Sequence, residues 1–211
     1  MKNIHKGSEP KSLERHRCKT SANYGNYAEK DELRESLVKE QRGICCYCMQ
    51  RIRAGSTEMK IEHWQCQELY PESQLDYKNL LAACLGGEGQ KRKKEHCDTR
   101  KDDLSLTYNP ANPGDDVEIK LKFLGDGTIE SENTQLNKEI DEVLNLNEDS
   151  LVRNRKAVIE AFRQGLIQTS PSDSDLRREL RKWDGDDDSQ NLEPFCQVVI
   201  YYLRKKLRRM P

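Results

Sequence analysis

The sequence lacks the features that mark secreted and membrane-spanning proteins. No apolar run in it approaches the roughly 18 residues that a membrane span requires, and residues 1–6 do not begin the apolar stretch of a signal peptide. We therefore expect a cytoplasmic protein. Disulfides are rare in that reducing compartment, so the 8 Cys are expected to be metal ligands, catalytic thiols or buried thiols.

Apolar side chains and net charge are also scarce. Hydrophobic residues make up 34% of the 211 residues, and counting glycine in place of tyrosine gives roughly 36%, against about 45–50% in ordinary globular chains. The 36 basic and 37 acidic residues nearly cancel to a net charge of −1. Net charge therefore predicts neither a nucleic-acid nor a membrane partner, and any attraction must come from local clusters.

The composition changes along the chain in a way that divides it into three parts. Residues 1–42 form an N-terminal arm and helix, residues 43–105 hold six of the eight cysteines, and residues 106–211 contain most of the periodic apolar sequence. The arm, over residues 1–28, is polar and is expected to be irregular. Apolar residues at helical spacing predict a first helix over residues 29–41.

The last part is expected to hold a small sheet and then helices. Apolar residues alternate over residues 117–123 before a Gly-Asp-Gly turn, which predicts a β-hairpin. Apolar steps of three and four residues beyond residue 140 predict a bundle of three or four helices, with an acidic loop at residues 185–190. The last helix carries Tyr201 and Tyr202 beside basic residues up to Arg209. This pattern is typical of a partner or nucleic-acid surface, and equally of a bundle helix with a solvated basic end.

Four cysteines are spaced so that they can hold one metal ion. Cys45 and Cys48 form a C-x-x-C pair, whose tight loop lets two thiolates reach the same zinc ion. Cys84 and Cys97 would form the second pair, but their separation exceeds that of most zinc knuckles. Spacing alone leaves structural zinc and four buried thiols equally open, with Cys46 as an alternative to Cys45.

The residues between and after these cysteines carry a recognisable order. Glu62-His63 follows the first pair, Asn79-Leu80 precedes Cys84, and the segment closes with Cys-Asp-x-x-Lys at residues 97–101. This order resembles the HNH endonuclease family, in which zinc thiolates staple a ββα-metal hairpin and helix. The resemblance implies an α+β fold, with a zinc-stapled ββα-metal (HNH) core after the N-terminal arm and helix, followed by the small β-hairpin and a C-terminal helical bundle.

The resemblance also implies a role for each motif residue. His63 would act as the general base that activates water, and Glu62 would hold a catalytic Mg²⁺ or Mn²⁺ ion. Asn79 would brace the loop that orients the base. The family most often has His or Asn at the second metal-ligand position, where this sequence has Asp98, and a carboxylate suits Mg²⁺ equally well. His96 is the rival ligand.

Basic residues beside the motif are candidates for contact with nucleic acid. A Lys-Arg-Lys-Lys run lies between the third and fourth cysteines, where it would either touch phosphates or remain a solvated loop. The candidate contacts are Lys91, Arg92, Lys93, Lys94 and Lys101.

Beyond the HNH motif, the first half of the chain resembles the PtuB-like nucleases of Septu antiphage defence, which also occur with certain retrons. The shared residues are Ile4, Lys6, Gly7, Glu9, Pro10 and Leu13 in the arm, and Leu37, Glu40, Gln41 and Gly43 before the first cysteine pair.

The resemblance to PtuB-like nucleases implies partners as well as an activity. The partner would be a PtuA-like ABC-type ATPase that controls the nuclease. The substrate would be phage DNA or host RNA such as tRNA. Retron-associated members would add a reverse transcriptase and its DNA product. The alternative is a zinc-stabilised adaptor that binds nucleic acid or protein without cleaving it.

Overall fold

The computed structural model describes residues 1–186 and 191–208 and shows a mixed α+β protein. Residues 187–190 of the acidic loop, and Arg209 in the basic end, lie outside the described residues. No helix within the described ranges is both long and apolar enough to cross a membrane. The helices are α1 (Lys11–Arg17), α2 (Lys30–Glu40), α3 (Cys97–Lys101), α4 (Val117–Lys120), α5 (Thr134–Lys138), α6 (Asp149–Thr169), α7 (Asp173–Asp184) and α8 (Cys196–Leu207). The strands are β1 (Lys60–His63), β2 (Leu80–Ala83), β3 (Lys122–Phe123) and β4 (Ile129–Glu130).

The N-terminal arm is more ordered than its polar sequence predicts. The expectation of an irregular arm is wrong over α1, which begins directly after Pro10 and buries Leu13 and His16. The arm is fastened to later parts of the chain, because Ile4 N donates to a backbone carbonyl at Pro110 over 2.8 Å. Such contacts, distant in sequence, stabilise a segment that has little apolar periodicity of its own.

Helix α2 confirms the first helix expected from the apolar spacing. Leu33 and Leu37 are fully buried on one face, as the period of 3.6 residues requires. Gln41 follows the helix and forms two hydrogen bonds with Ala82 of β2, each 2.7 Å long. The end of α2 is thereby fixed to the edge of the first sheet.

Strands β1 and β2 form the antiparallel pair that carries the Glu-His dipeptide. Glu62 lies opposite Leu81, and His63 lies opposite Leu80. All four residues of β2 are buried, so the sheet lies inside the protein rather than at its surface. Cys46 N donates to Ala82 O over 3.0 Å, which holds the first cysteine pair against β2.

The second sheet is smaller than the sequence predicts. The alternating run was expected to be one strand, but its first half is helix α4 and only β3 pairs with β4. The arm accounts for the difference, because Asn3 Oδ1 accepts a 3.0 Å hydrogen bond from Val117 N. The turn at residues 125–127 forms as expected, and Gly127 is required there, since a Cβ would lie 2.2 Å from Val152 O.

The C-terminal helices confirm the expected bundle. Helix α8 packs against both α6 and α7, and Val199, Ile200 and Leu203 are buried on it. The residue before α8, Phe195, donates its backbone N–H to Met49 O over 3.0 Å. The bundle therefore contacts the cysteine-rich segment directly.

Candidate metal centre and catalytic groove

The four predicted cysteines converge on one buried point. The sulfur atoms of Cys45, Cys48, Cys84 and Cys97 all lie within 4.8 Å of one another. Sγ of Cys45 is 3.9 Å from that of Cys97, and Sγ of Cys48 is 3.6 Å from that of Cys84. A tetrahedral ion with zinc–sulfur bonds of about 2.3 Å separates its sulfurs by about 3.8 Å. The cluster can therefore hold a metal ion such as zinc.

Three elements bring these sulfurs together. Cys45 and Cys48 lie on a tight turn, in which Cys45 N donates to Gln50 O over 2.9 Å. Cys84 directly follows β2, and Cys97 is the first residue of α3. The cluster thus joins the first sheet to the helix that follows it.

Cys46, the sequence alternative to Cys45, lies outside the sulfur cluster. Burial raises the pKa of its thiol well above the usual value. The pKa of Cys45 is lowered despite complete burial, because neighbouring thiols hydrogen-bond to it. The position of its sulfur, within 4.8 Å of the other three, makes Cys45 the candidate ligand and Cys46 a buried thiol outside the cluster.

His96 lies beside the sulfur cluster. Its Nδ1 is 3.2 Å from Sγ of Cys97 and 3.9 Å from Sγ of Cys84. Burial opposes protonation of this imidazole, but the hydrogen bond with Cys84 and the negative charges of Cys84, Cys45 and Glu148 together raise the pKa of His96. Of the two rivals for the catalytic cation, Asp98 lines the groove described next, whereas His96 contacts the thiols.

A second site is a polar cleft of about 290 Å³ between β1 and α3. It is called the catalytic groove here after the role proposed for it below. It is lined by Glu62, His63, Asp98 and Lys101 together with neighbouring polar residues. Burial, followed by the adjacent Asp98 carboxyl, raises the pKa of Glu62 well above its usual value. The groove thus joins two carboxyl groups to one imidazole.

Glu62 is held from two sides. Its side chain is 1% exposed, and Oε1 accepts a 2.6 Å hydrogen bond from the Tyr47 hydroxyl. The same oxygen lies 3.0 Å from Nζ of Lys101. Tyr47 belongs to the C-C-Y-C sequence, so the turn that carries Cys45 and Cys48 also fixes the carboxylate of the groove.

His63 presents one ring nitrogen to the groove and the other to the backbone. Its Nε2 lies 3.1 Å from Gln74 O. A carbonyl only accepts, so Nε2 carries the proton and Nδ1 keeps the lone pair that can take a proton from water. Burial lowers the pKa of His63 to about 4. The ring is therefore neutral at pH 7, the form that a general base requires.

Asn79 closes the loop that follows His63. Its Oδ1 accepts from Gln65 N over 2.7 Å, and its Nδ2 donates to Gln65 O and Ser73 O. Its backbone carbonyl accepts a 3.0 Å bond from Trp64 N. These contacts are those that the predicted bracing role requires.

The position of Lys101 differs from the one expected from the sequence. It was a candidate phosphate contact, but its side chain is 1% exposed and therefore does not reach a nucleic acid at the surface. Besides pairing with Glu62, Nζ donates to His63 O over 3.1 Å. The last residue of α3 points inward because both halves of the Glu-His dipeptide offer it an oxygen.

The Lys-Arg-Lys-Lys run divides into two kinds of residue. Arg92 donates to two backbone carbonyls of α3 over 3.1 and 2.8 Å, and Lys94 pairs with Glu148 over 2.6 Å. Lys91 and Lys93 are exposed, and within the described ranges neither forms an ion pair. Lys91 and Lys93 therefore remain the candidates for contact with nucleic acid.

Two residues that contact His63 were not predicted from the sequence, Tyr24 of the arm and Gln74 of the loop that follows β1. The Tyr24 ring lies 4.5 Å from that of His63 at an interplanar angle of 86°, and Tyr24 N donates to Gln74 Oε1 over 2.9 Å. Neither residue stands in a motif or an apolar period. The turn-forming sequence around Tyr24 was the available signal, and it does not indicate what the turn contacts.

Comparison with known proteins gives a similarity to a curated relative. No family model matches the sequence. The chain is 26% identical over 168 residues to the Septu protein PtuB of Bacillus thuringiensis, and the match covers 67% of this chain and 64% of the relative. The chain thus spans slightly less than two thirds of that relative's length. This similarity supports a relationship to the Septu protein PtuB.

Proposed function

We propose that this protein is an HNH endonuclease that hydrolyses phosphodiester bonds of nucleic acid as the effector of an antiphage defence complex. The observation that carries the proposal is the catalytic groove. There, a neutral imidazole with an available Nδ1 lies beside two carboxyl groups, on an antiparallel strand pair joined by four cysteines to a short helix. These are the groups that metal-assisted hydrolysis requires.

The residues of the groove divide the reaction between them. His63 Nδ1 would accept a proton from a water molecule whose oxygen forms the new bond to phosphorus. The P–O bond to the leaving nucleoside breaks, and its oxygen takes up a proton from solvent. Gln74 O holds the opposite ring nitrogen and so keeps Nδ1 directed at the water. Asn79 fixes the loop that carries this arrangement. The products are one phosphomonoester end and one hydroxyl end.

Glu62 and Asp98 would hold the divalent cation. Two adjacent carboxyl groups supply the oxygen ligands that Mg²⁺ and Mn²⁺ prefer. Burial and, after it, the neighbouring Asp98 carboxyl raise the pKa of Glu62, and a bound cation would favour its ionised form. When bound, the cation would neutralise the negative charge that develops on the phosphate and the leaving oxygen. Lys101 already compensates one negative charge of the pair.

The relative's name supports the defence role. Because the similarity to the Septu protein PtuB extends over 168 residues, we infer a PtuA-like ABC-type ATPase as partner. We place the docking surface on the C-terminal helices α6 to α8. The substrate classes are phage DNA and host RNA such as tRNA.

Cleavage assays test the proposed function. The full-length protein, alone and with its ATPase partner, is incubated with plasmid DNA or total tRNA in Mg²⁺ or Mn²⁺. We expect His63→Ala to lower the cleavage rate by about 10²- to 10⁴-fold, and His5→Ala, at an exposed arm histidine, to leave it unchanged. Equal cleavage by folded His63→Ala would contradict the proposal.

A zinc-stabilised adaptor is the second candidate function. The observation that favours it is the buried ion pair of Lys101 with Glu62, since an ammonium already occupies one side of the carboxylate that would ligate the cation. An adaptor predicts that His63→Ala binds nucleic acid or partner as the wild type does, and that neither protein cleaves under any condition with the partner and nucleotide present.

A further inference from the structure

We propose that Tyr24, in the N-terminal arm, is a positioning residue for His63, so that the docked arm completes the catalytic groove. The inference rests on the proposed nuclease function and deepens it. It assigns part of the catalytic machinery to a segment far from the Glu-His dipeptide in sequence. Three sets of contacts support it.

The first contact is between the two rings. The centroids of Tyr24 and His63 are 4.5 Å apart and the planes meet at 86°, an edge contact at the short end of the range for aromatic pairs. His63 is also held at Nε2 by Gln74 O. One contact fixes a ring nitrogen and the other fixes the ring plane, so Nδ1 has a defined direction.

The second set of contacts joins the arm to the same glutamine. Gln74 uses its backbone carbonyl for His63, while its side-chain Oε1 accepts from Tyr24 N over 2.9 Å. Its side-chain Nε2 donates to Pro71 O over 2.7 Å, which orients the amide. A displacement of the arm would therefore move both Tyr24 and Gln74, the two residues that contact the His63 ring.

The third set of contacts makes the arm a fixed support. The backbone N–H groups of Asn23 and Asn26 each donate to the other residue's Oδ1 over 2.9 Å. His16 Nε2 lies 3.1 Å from Asn23 O and 2.9 Å from Asn26 Oδ1. Lys30 Nζ lies 4.4 Å from the Tyr24 ring centroid. Tyr24 therefore sits on a turn closed by its own neighbours and is held by α2 as well.

Tyr24 acts through His63 rather than as a second base. Burial raises the pKa of Tyr24 to about 12, which keeps its hydroxyl protonated at neutral pH. The ring contact, and not the hydroxyl, is the feature that positions the imidazole. Removing the ring lets the imidazole turn, and the loss then falls on the chemical step and not on substrate binding.

Steady-state kinetics of Tyr24→Leu and Tyr24→Phe in the full-length protein test the inference. We expect Tyr24→Leu to lower kcat by about 10- to 100-fold with KM within about twofold of wild type, and Tyr24→Phe to retain kcat within about twofold. Tyr108→Leu is the matched control, because Tyr108 is also half-buried beneath a lysine. Unchanged kcat in Tyr24→Leu, or equal losses in the Leu and Phe variants, would overturn the inference.

A spectroscopic measurement separates this inference from the proposed function. Long-range ¹⁵N NMR of the resting protein reports which nitrogen of His63 carries the proton. We expect Nε2–H in wild type and in Tyr24→Phe, and a mixture of tautomers in Tyr24→Leu. If the wild type cleaves nothing, the proposed function fails, and identical His63 spectra in wild type and Tyr24→Leu would overturn the positioning role independently.

Gln74→Met provides a second variant should Tyr24→Leu fail to fold. It removes the side-chain bond to the arm and keeps the backbone carbonyl that holds His63. We expect kcat to fall by about 3- to 10-fold with KM unchanged. A wild-type kcat in this variant would overturn the coupling of the arm to the base.

Discussion

Glu62 and His63 are neighbours in sequence but have different partners. Glu62 contacts Tyr47 and Lys101, whereas His63 contacts Gln74, although both residues line the same groove. These separate contacts would let one dipeptide serve both a metal ion and a water molecule. The resemblance to the HNH endonucleases implied both roles. It did not reveal that Lys101 would be drawn inward between them.

Lys101→Met tests the buried contact between Lys101 and Glu62. Because the pKa of Glu62 is already raised, its carboxyl can take up a proton when Lys101 is removed. The variant then leaves His63 O and one carboxyl oxygen without their donor, so we expect a loss of about 1–3 kcal/mol in the free energy of unfolding. Urea denaturation of the zinc-loaded protein measures it. Lys138→Met, at an exposed lysine of α5, is the control and should change stability little. Equal midpoints for the two variants would show that Lys101 does not stabilise the groove.

Among the elements, α6 begins where the cysteine-rich segment meets the bundle. Glu148 precedes the helix, accepts a 2.7 Å hydrogen bond from Ser150 N and pairs with Lys94. Partial burial opposes its charge, but these contacts lower the pKa of Glu148 to about 2. The N-cap thus ties the helix to the loop between the third and fourth cysteines.

Glu148→Gln should lower the free energy of unfolding by about 1 kcal/mol at pH 7, the usual cost of a lost N-cap contact. Because the folded-state pKa lies below the unfolded value, this stabilisation is present above about pH 4.3 and is lost as pH falls towards 2. Urea denaturation at a series of pH values measures the difference from wild type. For Glu160→Gln, at an exposed position of α6, the difference in stability from wild type should not change as pH falls. A stability difference for Glu148→Gln that does not change with pH would contradict the role of Glu148 as a charged N-cap.

The elements differ in how well the sequence predicted them. Helix α2 was predictable because Leu33 and Leu37 follow the helical period and face a core. Residues 117–123 were mistaken for one strand because alternation is a local signal, whereas α4 depends on Asn3 of the distant arm. Helix α1 was missed for the same reason, since its stability comes from docking. Contacts between distant segments decided both cases.

At the scale of the whole molecule, Arg155 of α6 joins the bundle to the sulfur cluster. It is fully buried and donates to Gly127 O over 2.6 Å and to Leu146 O over 2.8 Å. Leu144 O, two residues earlier, accepts from Cys97 N over 2.9 Å. In the described part of the chain no carboxylate pairs with Arg155.

The cysteines of the cluster are among the anionic groups that act on this arginine. Burial lowers the pKa of Arg155 to about 10, and the charges of Cys48, Cys97 and Asp126 oppose that fall. The cysteine spacing left structural zinc an open possibility. Arg155 would offset part of the negative charge of a metal-loaded cluster, and no motif reveals this contribution.

Arg155→Met should weaken zinc binding by about 10- to 100-fold, the usual cost of losing a partner outside the ligand shell. Competition with a colorimetric chelator measures the affinity, and metal analysis should find about one zinc ion per wild-type chain, lost in Cys48→Ser. Arg153→Met, two residues away on the same helix and exposed, should bind zinc as the wild type does. Unaltered zinc affinity in Arg155→Met would contradict the proposal that Arg155 offsets the negative charge of the cluster.

The candidate site was predictable where it follows a motif and not where it depends on docking. The four cysteines come together as their order indicated, and Glu62, His63 and Asn79 lie where they can take the roles that the motif implies. Tyr24 is separated from this set by the first helix and the cysteine turn. Its place beside His63 follows from the whole fold, through the contacts of Gln74.

The most direct test of the account is nucleic-acid cleavage by wild type and His63→Ala at equal zinc content, each with the ATPase partner, nucleotide and Mg²⁺ or Mn²⁺. We expect wild type to cut plasmid DNA or tRNA. We expect His63→Ala to retain its zinc and its fold but to lose cleavage. Cleavage by both at the same rate, or by neither, would contradict the assignment of His63 as the general base of a nuclease.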